Sequence, residues 1–159
     1  MPSSLNLFQQ IARVASQFSE KEEYSESLLH PFDRRNIHPS LPSKVRKLFD
    51  DGHYAEATFL AFKFIDKKIQ EYAGVKDTGF KLMMKAFDKN NPLIRLTKLS
   101  TTSESDEQEG YKFLFAGGVQ AIRNPRGHEY DIKDDPDTCL DHLAFASLLI
   151  RRLEQAGFA

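Results

Sequence analysis

HYAEATFLAFKFIDKKIQEYA, residues 53–73, is the stretch on which the fold turns. Tyr54, Ala57, Ala61, Phe64, Ile65, Ile69 and Tyr72 recur at spacings of three and four, the period of an α-helix. Phe59, Leu60 and Phe62 widen that stripe, so the helix is apolar on most of its sides and needs neighbours around it. Asp50-Asp51-Gly52 stops the preceding element and Gly74 ends this one, both glycines being suited to left-handed caps. This central helix predicts an all-α bundle.

Working outward, Leu41, Val45, Leu48 and Phe49 share a helical face just upstream. Further back, Pro31, Pro39 and Pro42 with His30 and His38 mark residues 30–42 as a linker or an irregular packed segment. Before it, Leu5, Phe8, Ile11, Ala12, Ala15 and Phe18 give residues 1–29 one apolar helical face, interrupted at Ser19–Glu23 and resumed from Tyr24 to Leu29. The expected organisation is an N-terminal helical arm and linker over 1–36 and a helical domain over 37–159.

Downstream, Thr78 is placed to cap a short helix with Phe80, Met83, Met84 and Phe87 as apolar contacts, broken by Asn90-Asn91-Pro92. Leu93 to Leu99 fits a brief strand or an ordered loop equally. Ser105 and Gln108 have capping-box spacing ahead of a helix with Tyr111, Phe113, Leu114, Phe115, Val119 and Ile122. Gly117-Gly118 inside it costs roughly 1 kcal/mol per glycine relative to alanine, which close helix–helix approach would explain. Asp135 and Pro136 have N-cap and first-turn character for a last helix with Leu140, Leu143, Ala144, Ser147, Leu148 and Ile150, ending near Gly157.

Composition narrows the function. Lys and Arg total 22 against 23 Asp and Glu, a net charge of −1. The molecule therefore lacks the general positive field of a strongly basic nucleic-acid binder, and any RNA contact has to be local. A single cysteine, Cys139, excludes an intramolecular disulfide framework and a cysteine-cluster zinc site. No signal-peptide run and no membrane-spanning run is readable, so a soluble, cytoplasmic protein is expected, with no metal and no cofactor. Asp50, Asp51 and His53 read as a helix junction in preference to a metal site.

The chemistry gathers at Ala121-Ile122-Arg123-Asn124-Pro125-Arg126-Gly127-His128-Glu129-Tyr130. Arg123 and His128, five residues apart, would lie roughly 140° apart around an unbroken α-helix. Pro125 disfavours helical geometry at Asn124, and with Gly127 it predicts a break that turns both side chains toward one pocket. Arginine offers a fixed charge and a planar donor fork for phosphate oxygens, and histidine gives or takes a proton near neutral pH. Together they suit phosphodiester cleavage in which the RNA 2′-OH is the nucleophile and the protein positions, neutralises and moves protons. The plainer alternatives are an Arg123 ion pair with Glu129 or Asp131 and a His128 bonded to backbone.

An arginine, Asn124 beside it and a histidine, at a junction between helices, resemble the HEPN superfamily. Leu48-Phe49-Asp50-Asp51-Gly52-His53-Tyr54-Ala55-Glu56-Ala57, Asn91-Pro92-Leu93, Phe113-Leu114-Phe115-Ala116-Gly117, Ile122-Arg123-Asn124-Pro125-Arg126 and Leu143-Ala144-Phe145-Ala146-Ser147-Leu148-Leu149 are similar to the Ymh-type family of prokaryotic proteins, over about residues 37–156. The HEPN resemblance implies an antiparallel helical bundle and a metal-independent endoribonuclease of toxin–antitoxin, abortive-infection or anti-phage defence type. It implies a homodimer with the motif at its interface, an RNA substrate, and an antitoxin or other defence-module partner. By the same resemblance His128 is the acid/base, Arg123 the phosphate stabiliser and Asn124 the positioner. Arg126 adds to the substrate-binding charge, and Tyr130 matches a tyrosine that some such toxins have modified. A non-catalytic dimerisation or docking module of the same fold is the alternative; a DNA-associated accessory protein is a third, for which no recognition helix is readable.

Overall fold

A computed structural model describes residues 8–15 and 28–158. The chain divides into two compact units, Met1–Asn36 and Ile37–Ala159. Among the described residues there are helices, turns and loops, and no strand.

In the first unit residues 8–15 are helical (α1), with Phe8, Ile11 and Val14 exposed. Leu5, Phe18 and Tyr24, which belong to the expected helical face of 1–29, lie outside the described residues. Pro31–Arg34 forms a short helix, α2, inside the proline-rich segment. His30 caps it, its Nδ1 accepting the Phe32 N–H at 3.1 Å, while Pro31 takes the first-turn position that needs no N–H.

The second unit is built around α4, Tyr54–Ala73. It packs against α3 (Ser43–Asp50), α5 (Gly79–Ala86), α8 (Pro136–Gln155) and the helix that carries the motif. Its apolar circumference explains this, since Ala57, Ala61, Phe62, Ile65 and Ile69 are all buried. Gly52 (φ 82°) and Gly74 (φ 64°) bracket it in the left-handed region, which glycine enters without steric cost. The Asp50-Asp51-Gly52-His53 turn is a helix junction: Lys47 Nζ pairs with Asp51 Oδ2 at 2.8 Å and the His53 N–H donates to Leu48 O at 2.8 Å.

α5 turns its face differently from expectation. Phe80 is exposed; Leu82, Met83, Ala86 and Phe87 are buried. Phe87 stacks on Phe115 of α6 (Thr102–Gly117) with centroids 4.4 Å apart. Burying each such side chain stabilises by roughly 1.5–3 kcal/mol.

Leu93–Leu99 is a loop, held by side chains of two helices: Arg152 of α8 donates through Nη2 to Leu96 O at 2.6 Å, and Gln108 of α6 makes three further bonds. Gln108 accepts the Leu96 N–H at 2.8 Å and donates to Phe87 O and Ile94 O at 3.2 and 3.0 Å. This overturns the capping-box reading of Ser105 and Gln108. The helix cap lies four residues earlier, where Thr101 accepts the Glu104 N–H at 3.2 Å and Glu104 in turn accepts from Ser100 N–H and Oγ–H.

α8 begins as its sequence predicts. Asp135 accepts the Thr138 N–H at 2.8 Å and Pro136 stands in the first turn. At the other end of the unit, His38 ties the entering chain to α8: its N–H donates to Ser147 Oγ at 2.9 Å and its Nε2 meets Glu154 Oε2 at 3.0 Å.

Candidate functional site

The motif does not break its helix. After α6 the chain continues through a wider turn, Gly118–Arg123, with π-helical hydrogen bonding, and then directly into α7, Asn124–His128. Asn124 has φ −63° and ψ −46°, fully helical, and its N–H reaches back five residues to Val119 O. The expected break at Pro125 is therefore corrected. In an α-helix the proline ring would crowd the carbonyl four residues back and leave a bond unmade. The π segment widens the helix there, so that Pro125 falls in the first turn of a new α-helical segment, where it is tolerated. The Ile122 carbonyl finds a side-chain donor instead, Arg126 Nη1 at 2.8 Å.

Glycine sets the depth of this helix. A Cβ on Gly118 would meet Phe62 Cε1 at 2.8 Å and Phe145 Cε1 at 3.2 Å, which is the close helix approach that Gly117-Gly118 suggests. Gly117 itself has open space beside it. A Cβ on Gly127 would meet Phe59 Cε2 at 2.7 Å, so α7 lies directly on the Phe59 ring of α4.

The motif's side chains go to different places. Arg123 lies over Phe59, its Cζ 5.7 Å from the ring centroid. Its Nη1 donates to Asn124 Oδ1 at 3.1 Å, and Asn124 Nδ2 to Gln120 Oε1 at 3.4 Å. Its carboxylate neighbour is Asp66 of α4, 4.0 Å away, in place of the Glu129 or Asp131 considered from the sequence. Asp66 and Phe59 carry no motif signal; Phe59 is readable only as a residue that widens the α4 stripe, and Asp66 lies outside that reading.

Arg126 has a different situation. Its Nε and Nη2 donate to the two carboxylate oxygens of Asp134, each at 2.6 Å, in a pair that is nearly buried on both sides. This clamps the strap of residues 129–135 to α7. His142 adjoins the clamp, its Nδ1 4.0 Å from Asp134 Oδ2. Burial first, and then the Arg126 charge, lower the His142 pKa from its ordinary value of 6.5.

His128 and Tyr130 face solvent, Tyr130 being 99% exposed. Among the described residues no side chain is bonded to His128. The structure brings Arg123 and Asn124 together and does not gather Arg123 and His128 into one pocket of a single chain, because the helix between them is continuous. Among the described residues no cluster of three or more His, Cys, Asp or Glu is arranged to hold a metal ion, and no helix is long and apolar enough to cross a membrane.

One helical face remains open. Phe113, Leu114, Gly117, Gln120 and Ala121 are exposed along α6 and the π segment, and His128 is exposed at the end of α7, with Asn124 half-buried between. A family model described as "Protein of unknown function (Hypoth_ymh)" matches residues 35–153, so it spans the whole of this site. The chain belongs to the Hypoth_ymh family. No curated protein and no solved structure matches it. The Hypoth_ymh match also takes in α3 to α8 almost entirely, leaving out the N-terminal arm.

Proposed function

We propose that this Hypoth_ymh protein is a HEPN-like, metal-independent endoribonuclease that works as a homodimer, in a toxin–antitoxin or anti-phage defence module. The observation that carries the reading is the open face of the motif helix. It is apolar and small-residued along Phe113, Leu114, Gly117 and Ala121, and it leads directly to Asn124 and His128. A two-fold contact along such a face is self-complementary. It would set the His128 imidazole of one protomer opposite the Arg123 guanidinium of its partner, supplying across two chains what one chain holds apart.

In that arrangement Arg123 and Asn124 bind the scissile phosphate and His128 transfers protons to and from the 2′-OH and the leaving oxygen. An exposed histidine to which no side chain among the described residues is bonded suits that work, since both ring nitrogens stay open to substrate. Arg126, clamped by Asp134, serves the site by fixing the strap that carries Tyr130. The molecule's net charge of −1 makes such a local doubling of cations necessary for RNA to bind.

Incubating the purified protein with mixed RNA in excess EDTA, beside His128→Ala and Arg123→Ala, tests the proposal. Wild type should release 2′,3′-cyclic phosphate ends and both variants should not. Cleavage that survives both substitutions, or a folded dimer that cleaves nothing with any RNA tried, counts against it. The second outcome favours a docking module built on the same open face.

A further inference from the structure

Arg123 and Arg126 stand three residues apart and are held in opposite ways. Arg126 closes two 2.6 Å bonds on Asp134 and a third on Ile122 O. Arg123 also faces a carboxylate, yet its Nη2 stops 4.0 Å from Asp66 Oδ2. That is near enough for charge attraction and too far for a hydrogen bond. Among the described residues its Nε is buried with no hydrogen-bond partner, and its Nη1 donates to Asn124.

Asp66 itself is fixed. It is 2% exposed, and its other oxygen accepts the Gly79 N–H at the start of α5 at 2.7 Å. The Phe59 ring beneath Arg123 is fixed as well, seated against Gly127. A buried carboxylate left with only a distant cation is costly unless that cation stays close. The guanidinium is thus confined to the space between Phe59 and Asp66 without being closed into a bidentate pair.

We propose that Asp66 is the positioning residue of Arg123: its buried charge orients the guanidinium and leaves donors over for an RNA phosphodiester. This rests on the ribonuclease reading and adds a residue to it. Asp66 touches no substrate; it acts through Arg123.

Asp66→Asn in the full chain is the test, because the amide oxygen still serves the Gly79 N–H and only the charge goes. Asp66→Ser is a second, smaller neutral variant, should the amide fail to fold. The first readout is the Arg123 Nε–Hε resonance, assigned by its loss in Arg123→Ala. It should be slow to exchange in wild type and shifted and fast in the neutral variants. The second is cleavage. The neutral variants should lose of the order of 100-fold in kcat, as for a misplaced catalytic group, with KM changed far less. An unchanged Arg123 resonance, or an unchanged kcat, overturns the proposal. If wild type cleaves no RNA, the ribonuclease reading falls, and the resonance alone decides whether Asp66 holds Arg123.

Discussion

A methyl group at position 118 has nowhere to go: Phe62 Cε1 lies 2.8 Å from where it would sit, and Phe145 Cε1 3.2 Å. Gly118→Ala is therefore expected to destabilise by about 1–3 kcal/mol, the usual penalty for overpacking. Gly117, one residue earlier, has open space. Gly117→Ala should leave folding unchanged or improve it by up to about 1 kcal/mol. Urea titrations of the two variants side by side check this, and equal effects would refute the packing account. The Arg126–Asp134 clamp makes a second prediction at this scale. Asp134→Ala leaves a nearly buried guanidinium with only the Ile122 carbonyl, and should cost about 3 kcal/mol or more in the same titration. A loss under 1 kcal/mol would mean that the pair is solvated. The glycine pair and the motif arginine were legible in the sequence. The partners were not: the sequence points Arg123 to Glu129 or Asp131, because nothing in a linear reading brings Asp66 from α4 to its side.

At the scale of elements, side chains from two helices shape the loop that follows α5. Gln108 makes three buried bonds to the 87–96 segment and Arg152 of α8 a fourth, so this loop is specified from α6 and α8 and not by its own propensities. Gln108→Leu should cost about 3 kcal/mol or more, because it strands two carbonyls and one N–H in the interior. Hydrogen exchange at the Leu96 amide should rise with it; unchanged protection there would show that Gln108 does not hold this amide. The helices themselves were readable. Tyr54–Ala73, its glycine ends and the Asp135-Pro136 start of α8 follow from period, cap and φ requirements that act locally. The π segment was not. Pro125 and Gly127 signal a break by every local rule, and the helix survives only because the turn before them widens against Phe62 and because Arg126 bonds Ile122 O. Those are consequences of packing, which short-range signals do not contain. The same limit applied at Ser105 and Gln108, whose capping-box spacing was real and whose place in the helix was not the first turn.

For the whole molecule, Cys139 offers a probe of global opening. It is buried between α8 and α4, with the Thr58 hydroxyl donating to its Sγ at 3.5 Å. Burial pushes its pKa from 9.0 up to about 11. The folded state then holds its proton where the unfolded state has lost it, so stability should fall as pH rises from about 9 toward about 11. The thiol should react with a chromogenic disulfide at pH 8 only upon unfolding, and Cys139→Ser should flatten the alkaline limb of a pH–stability curve. Fast native-state labelling would contradict the burial.

In the proposed dimer one working site takes Arg123 from one protomer and His128 from the other. Mixing Arg123→Ala with His128→Ala, with subunits allowed to exchange, tests it most directly. Each variant alone should be inactive. Half of a randomly exchanged population is mixed dimer, and each mixed dimer has one intact site of two, so the mixture should regain about a quarter of the wild-type RNA cleavage. A mixture as inactive as its parts, when wild type cleaves and the subunits are shown to have exchanged, would contradict a site shared between chains.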